Sequence, residues 1–269
     1  MSFKNKFSNL GQPEKVWVVS AVNGDRTRLV ELHKTLFDKI KSGDRLLYTG
    51  NYLAGPGASP VETLDEILYF RRTLLARPGM QDSDFVYLRG IQEELWNKIL
   101  QLQFTPSPGQ VLEWMMKKHP NMESLLRGYG SSFEEASRLT REGVINLTRW
   151  TTSLKQTIRQ HPGHEKFFSV LRRAAFTEHS AGDDGNILFV HAGLDPQLPL
   201  ISQGDNFWWA SKQFSQIQEA YHPFKLVVRG FDPDHQGLKI GPAAVSLDGD
   251  RMLCAEMSGQ GDVLNVLAA

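Results

Sequence analysis

The sequence predicts an α/β fold, on three observations. Short, almost wholly apolar runs suited to doubly buried strands alternate with helical periodicity. Each of these runs ends in a loop containing glycine, and a long helical stretch separates the early runs from the later ones. Val16 to Ser20 (VWVVS) is the first run. Asp25 to Lys41 follows with Leu29, Leu32, Leu36 and Ile40 at helical spacing, and RLLYT, from Arg45 to Thr49, completes a strand, helix, strand unit. SPVE, from Ser59 to Glu62, reads as a capping box with proline at the first helical position, opening a helix that carries Leu64, Ile67, Leu68 and Leu75. FVYL, from Phe85 to Leu88, is the third strand. From Ile91 to about Thr177 the pattern is mostly helical, broken at TPSPG, KHPN, GYGSS and HPG, and is expected to form an inserted layer or cap. ILFVH (Ile187 to His191) and KLVVR (Lys225 to Arg229) resume the strands, and AAVSL with MLCAEM is expected to close the fold as a hairpin turned through DGD. No repeat or linker divides the chain, so residues 1–269 are read as a single domain with 91–177 as its helical insert.

Composition narrows the function classes. Lysine plus arginine number 30, as do aspartate plus glutamate, so the net charge is zero and no nucleic-acid or anionic-membrane partner is indicated. The single Cys254 leaves no internal disulfide or cysteine-rich zinc site, which fits a reducing compartment. The opening MSFKNKFSNLGQPEK has no apolar run behind its basic residues, and no later run is long enough to span a bilayer, so a cytoplasmic protein is expected. His33, His119, His161, His164, His179, His222 and His235 show no metal-like pairing, and the sequon at Asn146 has no role in such a compartment.

In open α/β sheets ligands sit outside the carboxyl ends of the strands, so the loops VNGD, GNYLAGPGAS, RGIQEE, HAGLDP and RGFDP are expected to converge on one crevice. In their order and spacing these loops resemble those of the calcineurin-like metallophosphoesterases, in the branch of bacterial serine/threonine protein phosphatases and diadenosine tetraphosphatases. Where family members carry GDIHG, GDYVDRGPxS, GNHE, VHAG and HGHTP, this chain has SAVNG (Ser20 to Gly24), GNYLAGPGAS (Gly50 to Ser59), GIQE (Gly90 to Glu93), VHAG (Val190 to Gly193) and RGFDP (Arg229 to Pro233). Trp114, Tyr129, Gly130 and the stretch from Leu198 to Trp209 are similar to weaker family landmarks. The resemblance implies a metallophosphatase-like β-sheet sandwich flanked by helices, with the helical layer inserted between the third and fourth motifs.

It also implies a pair of divalent metals, such as manganese or iron with zinc, clamping a phosphoryl group and generating a hydroxide nucleophile. Such a pair needs carboxylates, because two close dications repel unless anionic ligands neutralise them. Carried over position by position, the aspartate and histidine ligands of the first motif become Ala21 and Asn23, and the bridging aspartate of the second becomes Asn51. The asparagine ligand of the third becomes Ile91, the histidine beside it becomes Gln92, and the last ligand histidine becomes Phe231. His191 alone keeps its ligand type, and Ala54 and Gly55 stand where the phosphate-binding arginine would be. The resemblance therefore implies no cofactor here and no catalytic residue: a metallophosphatase frame acting as a pseudophosphatase, by binding a protein partner or a phosphorylated ligand.

The alternative is a phosphoester hydrolase, of protein phosphatase or dinucleotide polyphosphate hydrolase type, with a rebuilt single-metal or metal-free site using His191, Asp25, Glu93 or Asp195. A third option is an obligate subunit of an oligomer. Arg89 and Arg229, at the ends of two strands, are candidate metal-free phosphate ligands. Phe207, Trp208 and Trp209 are read as core before binding face, Asp25 and Glu93 as acids that open helices, and Gly24, Gly50, Gly90, Gly193 and Gly230 as sharp strand-end turns.

Overall fold

The computed structural model describes residues 6–178 and 185–269, so His179 lies outside the described residues. Two mixed sheets form the centre. The elements run β1 (Phe7–Asn9), β2 (Lys15–Val19), α1 (Arg26–Lys39), β3 (Arg45–Tyr48), α2 (Pro60–Leu75) and β4 (Phe85–Tyr87). The helical layer follows as α3 (Ile91–Ile99), α4 (Pro108–Lys118), α5 (Met122–Gly128), α6 (Phe133–Glu142), α7 (Val144–Gln160) and α8 (His164–Val170). Then come β5 (Ala174–Phe176), β6 (Ile187–Val190), α9 (Asn206–Trp209), α10 (Ser211–Phe214), β7 (Leu226–Arg229), β8 (Leu238–Ile240), β9 (Ala244–Leu247), β10 (Leu253–Ser258) and β11 (Val263–Ala268).

One sheet has the order β1-β5-β6-β7-β9-β8 and the other β11-β10-β2-β3-β4. The strands β2, β3 and β4 are parallel, as are β6, β7 and β9. Side chains alternate across each strand. Val16, Val18, Leu47 and Val86 meet Phe189, Val228 and Val245 of the other sheet in one dry cluster. Their neighbours Trp17, Val19, Leu46, Tyr48, Phe85 and Tyr87 face away and join the larger core beneath the helices, where α1 contributes Leu29, Leu32 and Leu36. The central strands β2, β3, β4, β6 and β7 are almost wholly apolar because both of their faces are covered.

Three expectations are corrected. AAVSL and MLCAEM do not form a hairpin: β9 pairs with β7 and β8, whereas β10 pairs with β2 and β11. The intervening turn carries the chain from one sheet to the other, and apolar alternation is the same whichever sheet receives a strand. The capping box at Ser59 is not made, since the Ser59 side chain forms no cap hydrogen bond and Pro60 alone marks the helix start. The insert ends in a strand, because Ala174–Phe176 forms β5 between β1 and β6.

Candidate functional site

The parallel strands deliver their loops to one place, as hydrogen bonds between the loops record. The amide of Ala21 donates to the Gly230 carbonyl at 2.9 Å, and those of Val22 and Asn23 donate to the Asn51 carbonyl at 3.1 and 2.7 Å. Phe231 donates its amide to the His191 carbonyl at 3.0 Å. The loops approach so closely that side chains are excluded. A Cβ on Gly50, whose φ is +105°, would lie 2.5 Å from the Gly90 nitrogen, and one on Gly230 would lie 1.9 Å from Thr49 Oγ1. The reason for glycine thus differs by position: Gly24 and Gly50 have positive φ, whereas Gly90, Gly193 and Gly230 are needed for close approach rather than for a turn.

Gln92 ties these loops together. Its Oε1 accepts from the amides of Leu53 and Ala54 at 3.0 and 2.8 Å, and its Nε2 donates to Asn23 Oδ1 at 2.9 Å and the Ala54 carbonyl at 2.6 Å. A glutamine amide has two donor hydrogens and two acceptor lone pairs, and all four are used. Its backbone amide donates to Asn51 Oδ1 at 3.1 Å. Asn23 and Asn51 both sit in the left-handed region, with φ of +53° and +56°, a conformation that asparagine tolerates better than most residues. The resemblance sets Gln92 where the family has a histidine, and nothing local in the sequence signals that it joins three loops.

Glu93 is buried and does not face a ligand. Its carboxylate accepts from the amides of Gly90, Asn51 and Tyr52 at 2.8, 2.9 and 2.9 Å. Burial raises its pKa, and those backbone donors oppose the rise. Asp25 caps α1 by accepting from the Arg28 amide at 3.0 Å, and Asp195 accepts from the Gln197 amide at 2.9 Å. The three acids of the rebuilt-site reading are therefore spent on separate stretches of backbone. Among the described residues, no group of three or more histidine, cysteine, aspartate or glutamate side chains could hold a metal ion.

His191 is fully buried and stacks on Phe231, with ring centroids 5.1 Å apart and planes 5° from parallel. Its Nδ1 lies 2.7 Å from the Thr49 carbonyl, which can only accept, so Nδ1 carries the proton and Nε2 is the free acceptor. Nε2 has no hydrogen-bond partner among the described residues. Burial pushes the pKa down to about 4, partly offset by the Thr49 carbonyl. The sign follows: the unfolded chain binds this proton as pH falls through about 6.5, whereas the folded chain resists it until about 4. We expect His191 to contribute stability that is fully present above pH 6.5 and lost on acidification toward pH 4, roughly 3 kcal/mol over that window. Urea unfolding at pH 7 and 4.5 checks this: the wild-type loss should exceed that of His191→Gln, in which other titrating groups are common to both proteins and cancel.

The arginine pair is corrected in part. Arg229 is 2% exposed, and its guanidinium donates to Asp232 Oδ2 at 2.6 Å, Ser211 Oγ at 2.7 Å and Ser246 Oγ at 2.9 Å. It also lies 4.5 Å from the centre of the Phe214 ring. Its donors are turned to the protein interior, so it is unsuited to gripping a phosphate. Arg89 is 27% exposed and pairs with Glu94 at 3.2 Å. In the aromatic stretch Phe207 and Trp208 are core, while Trp209 is 42% exposed beside Trp114.

The residues present do not fit a pair of divalent metals. Ala21, Ile91 and Phe231 have no donor atom, the side-chain oxygens of Asn23 and Asn51 are bonded to Gln92, and a lone imidazole nitrogen remains. No carboxylate is among these positions to offset the repulsion of two dications.

No family model matches this chain, and no curated protein matches it. Solved structures do. The structure of a candidate diadenosine tetraphosphatase superposes with a TM-score of 0.51 and 15% identity, covering 98% of this chain and 97% of that one. A protein serine/threonine phosphatase from Saccharomyces cerevisiae gives 0.49 at 13% identity, covering 98% of this chain and 82% of that one. A metallophosphoesterase from Sphaerobacter thermophilus gives 0.42 at 12% identity, covering 95% and 88%. The first superposition spans nearly all of both chains, and with the element order above it shows that this chain has a metallophosphatase-like fold.

Proposed function

We propose that this protein is a pseudophosphatase, using the metallophosphatase frame for binding and not for hydrolysis. The observation that carries the reading is the Gln92 amide, which fills all four of its hydrogen bonds with the loops that would otherwise present metal ligands. A crevice whose polar groups bond one another is preorganised as a surface and has no nucleophile to offer. Its occupant is a protein partner or a phosphorylated ligand held without turnover, and the frame also suits assembly with further copies of the chain. Among the described residues no helix is long and apolar enough to cross a membrane, and the lone buried thiol of Cys254 is in keeping with the cytoplasm.

Calorimetric titration of metal-stripped protein with manganese to high micromolar concentration tests the reading. The expected result is no binding heat, together with no metal-dependent hydrolysis of p-nitrophenyl phosphate. Stoichiometric manganese binding, with hydrolysis that disappears in His191→Ala, would overturn it.

A further inference from the structure

A second site lies away from the motif loops. Where the edge strand β4 of one sheet meets the edge strand β1 of the other, α2 and α8 close over a cavity of about 760 Å³, within the range of small-ligand pockets. None of its lining residues belongs to the five motifs. Arg71 and Arg72 enter from α2, Lys166 from α8, and Arg172 from the segment before β5. Among the described residues Asp82 is the one acid in the lining, and it is paired with Arg71. Four cations against one carboxylate leave an excess of three positive charges, in a chain whose net charge is zero.

The inner wall is aromatic. Phe85 lies beneath Arg71, whose guanidinium is 5.9 Å from the ring centre, and Tyr87 meets Phe167 edge-on at 5.1 Å. Tyr87 is 5% exposed and lines the cavity, and its hydroxyl has no hydrogen-bond partner among the described residues. A buried hydroxyl is ordinarily satisfied. This one is enclosed behind the aromatic wall, with no surface open to the cavity.

We propose that this cavity binds an aromatic phosphate, a flat ring carrying a phosphoryl group. The ring packs against Phe85, Tyr87 and Phe167, and the phosphoryl oxygens take the arginine and lysine donors, with guanidinium forks matching phosphate geometry. Two sources share this chemistry, nucleotides and phosphotyrosine. The proposal is independent of the reading of the motif crevice, because no residue is common to both.

The test is calorimetric titration of the whole protein with adenosine 5′-monophosphate and, separately, with O-phospho-L-tyrosine. Adenosine, tyrosine and inorganic phosphate serve as controls. Saturable one-to-one binding of either phosphate, tighter than every control, is expected, and the tighter of the two identifies the source. In Arg72→Glu and Lys166→Glu, both exposed and so harmless to folding, affinity should fall by about tenfold or more, since each replaces a favourable charge with a repulsive one. Failure of both phosphates to bind below about 1 mM would overturn the proposal. So would binding that is unchanged in the two charge variants, or that inorganic phosphate matches.

Discussion

Replacing Arg229 with methionine is expected to lower stability at pH 7 by about 3–5 kcal/mol, the cost of breaking a buried ion pair from one side. Methionine restores the apolar stem against Phe214, so the loss isolates the guanidinium. What remains is the Asp232 carboxylate, 2% exposed, whose Oδ2 has lost a 2.6 Å partner, and Ser246, which loses its 2.9 Å donor. The Asp232→Asn change in the methionine background removes the uncompensated charge and should recover about half of the loss. Urea unfolding of the wild type, both single variants and the double variant measures the coupling. A fall below about 1 kcal/mol for Arg229→Met would mean that the guanidinium is solvated and its donors are not committed to the interior.

Gly50→Ala is expected to cost about 2–6 kcal/mol, from two penalties of about 1–3 kcal/mol each, backbone strain and overpacking. The φ of +105° is unsuited to an L side chain, and the new methyl would lie 2.5 Å from the Gly90 nitrogen and 2.9 Å from His191 Nδ1. Neither neighbour is the free end of a flexible side chain, so relief requires the second and third motif loops to part. Gly57→Ala is the control. Gly57 also has positive φ, +67°, but open space around it, so only the conformational cost of about 1 kcal/mol should appear. Thermal unfolding of the two variants beside the wild type reads the difference, and equal losses would show that the loops are not packed against each other at Gly50.

Both variants probe contacts that join residues far apart in the chain, and the legibility of the molecule divides along the same line. Strands β2, β3, β4, β6 and β7 were readable because apolar runs buried on both faces leave a local pattern. Strands β1 (FSN) and β8 (LKI) have a polar residue at their centre, β5 (AAF) is mostly alanine, a weak strand former, and β11 is an edge strand with three exposed residues. The helical layer was readable from its proline and glycine breaks, although its closing strand was not. In the site, the loss of ligand types at Ala21, Ile91 and Phe231 could be seen letter by letter. The roles of Gln92 and Arg229 could not, since glutamine and arginine at a loop read as solvated or ligand-facing until their partners are known.

What the amino-acid order settles here is local: which segments are strands or helices, which loops carry glycine, and which loop positions lack a metal-donor atom. Those properties depend on side-chain chemistry and on neighbours a few residues away. The fold decides the rest. It sends β9 and β10 to different sheets, turns Arg229 inward to Ser211 and Ser246, sets Gln92 across three loops and gathers Arg71, Arg72, Lys166 and Arg172 around one cavity. Each depends on a distance between residues remote in the chain, and such distances exist only once the two sheets have packed and the helices have closed over them.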